Sequence, residues 1–287
     1  EDKFMQGALE FDRDGSTASV INDGEIKTTL NGYVALLAPE VRNRGLIVAQ
    51  MGTVVMASGE QIILNFSNNN HLSSITASST TIDALIENKH AVQAYGGTII
   101  LSAKAMNQLV SGIINQEGLL DAGSDAFEVV KIGGRILLSG DKTLLAKNSI
   151  TTTSSFQSGG EVSIAARELI TDESSVVAVS TSRQGNGGII DVATSHSELS
   201  GKFLANGGVD SGSGGQINIS SDSLLVTDTS LIQAGSFTTQ GSPGSILIST
   251  NTINSTPEFM KMINQSIASA DVSILTSGAF NFDRASV

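Results

Sequence analysis

The residue types that most often carry chemistry are sparse in this sequence and far apart. The three histidines are His71, His90 and His196, and no HxH or HxxxH spacing joins two of them. Because metal ligand sets usually include a closely spaced pair, the sequence predicts no metal site built on these histidines. Ser195 and Ser197 flank His196, but neither serine sits in a G-x-S-x-G turn, so a Ser/His hydrolase is not supported. We therefore expect no catalytic or metal-ligating residue among them.

Two glycine-rich stretches resemble phosphate-binding loops only superficially. They are Gly185-Asn186-Gly187-Gly188 and Gly212-Ser213-Gly214-Gly215. A phosphate loop continues with Lys and then Ser or Thr and opens a helix, whereas both of these stretches precede alternating, strand-like segments. We predict that they are turn glycines and bind no cofactor.

Carboxylates could serve a carbohydrate-active enzyme if two of them met on one lateral side of the molecule. The candidates, chosen because they lie near turns, are Asp172 with Glu173, Asp121, Asp125, Glu128 and Asp222. The turns lack the G-G-x-G-x-D repeats of calcium-binding rolls, so no calcium site is expected. The favoured interpretation is solvated charge that keeps the protein soluble.

Composition excludes several classes of protein. The 287 residues carry 16 Lys and Arg against 28 Asp and Glu, a formal net charge of −12, which argues against nucleic acid or an anionic membrane as a partner. Charged residues make up only 15% and hydrophobic residues 40%, unlike a disordered chain. Cysteine is absent, and no apolar run approaches the roughly 20 residues of a membrane span. Glu1-Asp2-Lys3 does not begin a signal peptide, so we expect a cytoplasmic, a processed or a fragmentary chain.

A repeated phrase organises the chain. Gly or Gly-Gly is followed by alternating β-branched and small residues, and the phrase begins at Gly52, Gly97, Gly134, Gly160, Gly188, Gly215 and Gly244. In the second half it recurs every 26–29 residues, whereas the first spacing, 45 residues, is close to two shorter units. Further turn residues ahead of short alternating runs give each repeat about three short strands.

Strands this short cannot bury a core alone, but stacked repeats give each strand a partner above and below at about 4.8 Å. The sequence therefore predicts an all-β parallel solenoid with three-strand coils, in a single domain spanning residues 1–287 and roughly ten coils. The predicted inward residues are Val162, Ile164, Ile217, Ile219, Ile246 and Ile248, and the predicted outward ones include Ser163 and Asn218. The repeated glycines are expected at equivalent corners, several with positive φ.

Two stretches depart from the repeat, so the fold is expected to contain one or two short helical insertions. Ser255-Thr256-Pro257-Glu258, followed by spaced apolar residues, predicts a short helix over 257–267 that shields apolar surface near the end of the stack. Residues 103–114 also have helical spacing, although strand, turn and strand would fit them equally.

Residues 4–140 resemble the filamentous haemagglutinin-like exoproteins (TpsA) of two-partner secretion systems, in their haemagglutination-activity or secretion-domain region. The phrases that carry the resemblance are FMQG from Phe4, VINDGEI from Val20, GYVALLAP from Gly32, VRNRGLIVA from Val41, GTVVMASGE from Gly52, IDALIEN from Ile82, GGTIILSAKA from Gly96 and INQEGLLDA from Ile114. Residues 141–287 keep only the generic solenoid repeat. The family's Asn-Pro-Asn-Gly type motif is missing, so the chain begins downstream of that recognition element or lacks it.

The resemblance implies a right-handed parallel β-helix, secreted or held at the outer-membrane surface of a Gram-negative bacterium. It implies export through a cognate outer-membrane transporter of the TpsB type, and adhesion to a host or bacterial surface glycan or protein. On this interpretation the protein is not an enzyme and is a fragment of a longer chain. Two alternatives stay open: a β-helical carbohydrate-active enzyme, either lyase or hydrolase, and the stalk of a contact-dependent inhibition toxin or haem-acquisition protein.

Overall fold

A computed structural model describes residues 9–67, 71–124, 133–239, 241–255, 271–276 and 280–282. All regular secondary structure within these ranges is β-strand. The strands are, in chain order, β1 Glu10–Asp12, β2 Ser19–Asn22, β3 Glu25–Lys27, β4 Tyr33–Leu37, β5 Glu40–Asn43, β6 Leu46–Val48, β7 Thr53–Ser58, β8 Gln61–Phe66, β9 Leu72–Ala77, β10 Ala84–Asn88, β11 Ala91–Gln93, β12 Thr98–Ala103, β13 Gly112–Gln116, β14 Leu119–Asp121, β15 Arg135–Leu145, β16 Ile150–Thr152, β17 Glu161–Thr171, β18 Val176–Ala178, β19 Ile189–Leu199, β20 Lys202–Leu204, β21 Gln216–Val226, β22 Leu231–Gln233, β23 Ser245–Ser255, β24 Asp271–Thr276 and β25 Phe280–Phe282.

Most of these strands stack in parallel along three faces, which confirms the predicted all-β parallel β-helix. The first face contains β4, β7 and β12, and the second contains β2, β5, β10 and β13. The third contains β3, β6, β11, β14, β16, β18, β20 and β22. Each of the 11-residue strands β15, β17, β19, β21 and β23 bends, so that its first half continues the first face and its second half the second.

The described strands make ten successive coils, in agreement with the sequence. Coil 1 contains β2 and β3, coil 2 contains β4 to β6, coil 3 contains β7, β10 and β11, and coil 4 contains β12 to β14. Coils 5 to 8 each contain one long strand and one short third-face strand, from β15 with β16 to β21 with β22. Coil 9 begins with β23, and coil 10 contains β24 and β25.

The repeated glycines stack at the corner between the third and first faces, as predicted, but not because of positive φ. A Cβ atom on Gly188 would lie 2.0 Å from the carbonyl oxygen of Gly160, and the same clash recurs along the column from Gly52 to Gly244. Glycine is required here because the backbones of adjacent coils approach too closely for any side chain. The expectation of positive φ at these corners was therefore wrong. The described glycines with positive φ are Gly15, Gly96, Gly185 and Gly212.

The core lies inside the coils, where the predicted inward residues are found. Ile217 and Ile219 are 0% and 1% exposed, and the other four predicted inward residues are equally buried. Asn218, between them, points outward, and its Nδ2 donates a 2.6 Å hydrogen bond to Oδ1 of Asp191 on the preceding coil. The strand alternation inferred from sequence is therefore confirmed for these coils.

A ladder of buried side-chain amides runs through coils 1 to 4. The Nδ2 of Asn22 donates to Oδ1 of Asn43, the Nδ2 of Asn43 to Oδ1 of Asn88, and the Nδ2 of Asn88 to Oε1 of Gln116. Each donor–acceptor distance is 2.8 Å. The Nε2 of Gln116 ends the ladder by donating to the backbone carbonyl of Ile150 at 3.1 Å. Each buried amide thus finds a partner on the next coil, which offsets the cost of removing it from water.

The 45-residue spacing is one coil interrupted by an antiparallel hairpin, so the expectation of two shorter units was wrong. Strands β8 and β9 form the hairpin, and β1 pairs with β8 to complete a three-stranded sheet. This covering sheet packs on the outer side of the first face against Val55, Ile100 and the half-buried Leu137. Strand β7 is consequently buried on both sides, and its sequence TVVMAS does not alternate in polarity.

Residues 103–114 form strand, loop and strand, so a helical insertion here is excluded. Met106 and Leu109 in the loop are 60% and 92% exposed, and therefore do not form the core-facing stripe that helical spacing suggested. The Oδ2 of Asp141 accepts the backbone N–H groups of Ala105 at 2.6 Å and Gly112 at 2.8 Å, which holds the two ends of the loop together. The helix predicted at 257–267 lies outside the described residues.

Candidate functional site

The predicted carboxylates Asp172 and Glu173 lie in one lateral groove at the edge between the second and third faces. Glu198 and Asp228 from the following coils also line this groove, and so does Lys147. The groove is wide open and measures about 660 Å³. Polysaccharide cleavage would need two of these carboxylates to serve as acid and as base or nucleophile, so the surroundings of Asp172 bear on whether that chemistry is supported.

Asp172 is committed to a turn. Its Oδ1 accepts a 2.6 Å hydrogen bond from the hydroxyl of Ser174 and a 3.0 Å bond from the backbone N–H of the same residue. These two bonds, with the charge of Lys147, lower the pKa of Asp172 below its ordinary value, although desolvation opposes them. A general acid needs a raised pKa, so Asp172 is suited to holding the turn and unsuited to donating a proton.

The other candidate carboxylates lie elsewhere. Asp121 ends β14 on the third face, where burial raises its pKa against the effect of a 2.8 Å hydrogen bond from the N–H of Gly123. Asp222 is exposed at the bend of β21. Asp125 and Glu128 lie outside the described residues. Within the described ranges, no three His, Cys, Asp or Glu side chains form a group that could hold a metal ion.

The histidines and serines do not converge either. His71, His90 and His196 are exposed and belong to different parts of the fold: the hairpin, a tight corner and the second face. Ser197 points into the core, fully buried, where its hydroxyl lies 2.6 Å from that of Thr194. Since neighbouring residues of a strand point to opposite sides, His196 cannot activate Ser197.

A ridge of stacked loops is the surface that the motif search missed. The connections from the third to the first face are four or five residues long in coils 1 to 3, but eight to eleven residues long in coils 5 to 8. We call the described residues of the four long connections, 153–160, 179–188, 205–215, 234–239 and 241–244, the loop ridge. The longer interval between a third-face strand and the following Gly-Gly pair is the sequence signal that could have revealed it.

Hydrogen bonds from loop to loop hold the loop ridge in place. The N–H of Gly187 donates to the carbonyl of Ser213 at 3.0 Å, and the N–H of Ser213 donates to Oδ1 of Asn186 at 2.9 Å. The N–H of Ser242 in turn donates to Oγ of Ser213 at 3.1 Å. Gly185 and Gly212 adopt φ of +107° and +142°, so the predicted turn role of the glycine-rich stretches is confirmed.

The loop ridge exposes apolar and polar side chains side by side. Val209 and Phe237 are 57% and 48% exposed, and Arg183 is exposed on the neighbouring loop. A shallow trough of about 380 Å³ lies where the long connections meet the first-face strands, and it is lined by backbone and by Asn186, Ile189 and Gln216 among others. Loops fixed on a rigid scaffold with exposed aromatic and Arg side chains are typical of recognition surfaces.

A polar clamp fixes the covering sheet at the N-terminal end. The Nε of Arg13 lies 3.0 Å from the carboxylate of Glu60, which also accepts the hydroxyl of Thr81 at 2.6 Å and its backbone N–H at 2.8 Å. The Thr81 bonds, and then Arg13, lower the pKa of Glu60 below its ordinary value. The clamp joins β1, the start of the hairpin and the approach to β10, so it is a structural cluster with no free group for chemistry.

Comparison with solved structures identifies a protein with a similar fold. The chain is similar to the crystal structure of the HMW1 secretion domain from Haemophilus influenzae, with a TM-score of 0.59 and 21% sequence identity over 82% of this chain and 70% of that one. At this identity the similarity shows a shared fold, and it confirms at that level the resemblance inferred from the sequence. No family model and no curated protein matches the chain. In the described residues no helix is long and apolar enough to cross a membrane.

Proposed function

We propose that this protein is a secreted or surface-exposed β-helical module that is exported by two-partner secretion and attaches bacteria to cells or surfaces. The observation that carries the proposal is the fold shared with a secretion domain over 82% of the chain. The stacked architecture supports it physically, because each new coil can form on the edge of the previous one as the chain emerges from a transporter. The absence of cysteine removes cross-links that would lock the chain before export.

Export is tested by co-expression. The chain is placed behind a signal peptide in a Gram-negative host, with and without its cognate outer-membrane transporter of the TpsB type. We expect folded protein in the medium only when the transporter is present, and in the periplasm when it is absent. Equal amounts in the medium under both conditions would contradict the export proposal.

Attachment is assigned to the loop ridge, because it exposes Val209, Phe237 and Arg183 and borders an open trough lined by backbone, Asn186, Ile189 and Gln216. The ligand is a surface glycan or a surface protein. Binding of the purified chain to glycan arrays and to intact cells identifies which of the two it is. The variant V209S/F237S/R183A should lose binding, whereas M106S/L109S, which removes apolar side chains that are at least as exposed at another edge, should retain it. Equal loss in both variants would remove the loop ridge from the proposal.

The enzyme alternative can be tested at the lateral groove. A lyase or hydrolase would use the carboxylates that line it. Incubation with neutral and acidic polysaccharides, followed by measurement of new reducing ends, tests this function. We expect no cleavage, since Ser174 engages the carboxylate of Asp172 and its lowered pKa does not suit a general acid. Cleavage that Asp172→Asn and Glu198→Gln abolish would establish the enzyme instead.

A further inference from the structure

Three threonines interrupt the apolar core within a single coil. Thr143, Thr151 and Thr153 are at most 1% exposed, and their hydroxyls have no hydrogen-bond partner among the described residues. Thr143 lies on β15 and Thr151 on β16 of coil 5, and Thr153 is the first residue of the connection that completes this coil. A buried hydroxyl without a partner loses its hydration and gains nothing in return. Coil 5 therefore has an intrinsically less stable interior than its neighbours.

The neighbouring coils do not share this feature. Thr143 lies between Ile114 on coil 4 and Leu169 on coil 6, and Thr151 lies between Leu120 and Val177. These four flanking side chains are at most 1% exposed and wholly apolar. Among the described residues, the other buried hydroxyl without a hydrogen-bond partner is that of Ser58 on β7 of coil 3, so three of these four hydroxyls belong to coil 5.

Two features that stabilise the early coils do not continue beyond coil 5. The amide ladder stops at Gln116, and the next residue in that column is Leu145. The apolar cluster beneath the covering sheet extends to Leu137, and the following residue in that outer column is the polar Ser163. Coils 1 to 4 therefore share two stabilising features that are not found among the described residues of coils 6 to 9.

We propose that coil 5 is a built-in weak point at which the β-helix opens, so that coils 1 to 4 and coils 6 to 9 unfold as two cooperative blocks. In a solenoid each repeat contacts only its neighbours, so one destabilised repeat is enough to divide the cooperative unit. The proposal follows from the core and does not depend on the proposed function.

Surface charges do not offset this weakness. The ion pairs that join coil 5 to coil 6 are Arg135 with Glu161, Lys142 with Glu168 and Asp141 with Arg167, each at 3.1 Å. Most of these side chains are one third or more exposed, so water and salt screen the attraction. Their positions instead specify the register in which an opened coil 5 closes again on coil 6.

Hydrogen exchange of the intact protein, followed by mass spectrometry, tests the proposal. We expect the amides of β15 and β16 to exchange at least about tenfold faster than their register partners in β17 and β18, a difference of about 1.4 kcal/mol in opening free energy. Urea unfolding should show two transitions. Exchange in coil 5 as slow as in coil 6 would overturn the proposal.

Valine substitution separates the hydroxyl effect from other causes. T143V/T151V preserves side-chain shape and removes two unpaired hydroxyls, so exchange in coil 5 should slow and the two urea transitions should approach each other. Thr171→Val is the matched control. The Oγ1 of Thr171 accepts hydrogen bonds from the N–H groups of Ser200 at 2.8 Å and Gly201 at 3.1 Å, so removing this hydroxyl should destabilise the protein. If T143V/T151V speeds exchange in coil 5, the unpaired hydroxyls are not its weakness and the proposal fails.

Discussion

The side-chain amide of Asn43 donates a 2.8 Å hydrogen bond to Oδ1 of Asn88, although 45 residues separate the two in sequence. Both side chains are completely buried, and the hairpin of β8 and β9 lies in the chain between them. A one-residue slip of the strand would replace Asn88 with Glu87 or Lys89 in the core. The amide pair therefore specifies how coil 3 stacks on coil 2 despite the long insertion.

Asn43→Ala should lower the free energy of unfolding by about 1–3 kcal/mol, because it removes the acceptor of the Asn22 Nδ2 and the donor to the Asn88 Oδ1 inside the core. Urea unfolding monitored by circular dichroism measures the change. Asn115→Ala is the control, since Asn115 is half-buried and bonds Glu117 on the outside. A loss no larger than that of the control would show that the ladder contributes little.

Gly188→Ala should destabilise the protein by about 1–3 kcal/mol, through overpacking of its Cβ against the carbonyl oxygen of Gly160. The thermal midpoint is the measurement. Gly24→Ala is the matched control, because a Cβ at Gly24 would meet no atom within 4 Å. Equal melting of the two variants would refute the close-approach explanation for the glycine column.

Ile219→Asp should unfold coil 8 locally, because it places a charge in the core at a cost of several kcal/mol. Ser220→Asp, one residue further along the same strand, puts the same charge on an exposed outer position and should be nearly neutral. Limited proteolysis and thermal melting distinguish the two variants. Unchanged melting of Ile219→Asp would contradict the observed register.

Stability should fall in acid partly through Glu60. Its folded pKa lies below the ordinary 4.5, so it contributes stability that is present above the unfolded pKa and is lost as pH falls through the lower folded value. Thr81→Val removes the hydroxyl that lowers this pKa most and should bring the pKa of Glu60 back toward its ordinary value. Titration of Glu60 by NMR in both proteins measures the shift, and an unchanged pKa would count against the clamp.

The contribution of Asp121 to stability should change with pH in the opposite direction. Burial raises its folded pKa, so its contribution to stability is fully present below the unfolded pKa and is lost as pH rises through the folded value. Asp121→Asn removes the charge and should stabilise the protein at neutral pH but not below pH 3.8, the ordinary pKa of the carboxyl. Urea unfolding at two pH values is the measurement, and destabilisation at neutral pH would contradict the desolvation argument.

The coil repeat and its inward residues were predictable, because period-2 alternation and recurrent Gly-Gly pairs are local properties of the sequence. Ile217 and Ile219 illustrate this success. The covering sheet was not predictable in this way, since an apolar outward residue such as Val55 looks like a break in the pattern until the sheet that covers it is known. The helical spacing of Met106 and Leu109 misled for a related reason: periodicity records where apolar residues occur and not whether anything packs on them.

The candidate surface was harder to predict than the fold. The carboxylates Asp172 and Glu173 were found by their position near a turn, but only coordinates show that Ser174 engages Asp172. The loop ridge has no motif, because its order comes from hydrogen bonds between loops that lie a whole coil apart in sequence, such as Ser213 to Asn186. Recognition surfaces built in this way leave a signal in loop length rather than in residue type.

The connections between the second and third faces are only two or four residues long throughout coils 1 to 8, whereas the other two edges carry the hairpin, the 104–111 loop and the loop ridge. The edge between the second and third faces therefore keeps nearly the same length in each of these coils, and longer connections are accommodated at the other two edges. We therefore expect a foreign peptide inserted at the bend of β17, near Arg167, to project from an edge that accommodates insertions in other coils. The molecule is in this sense a ready-made scaffold for presenting epitopes, with a spacing between them set by the distance between coils.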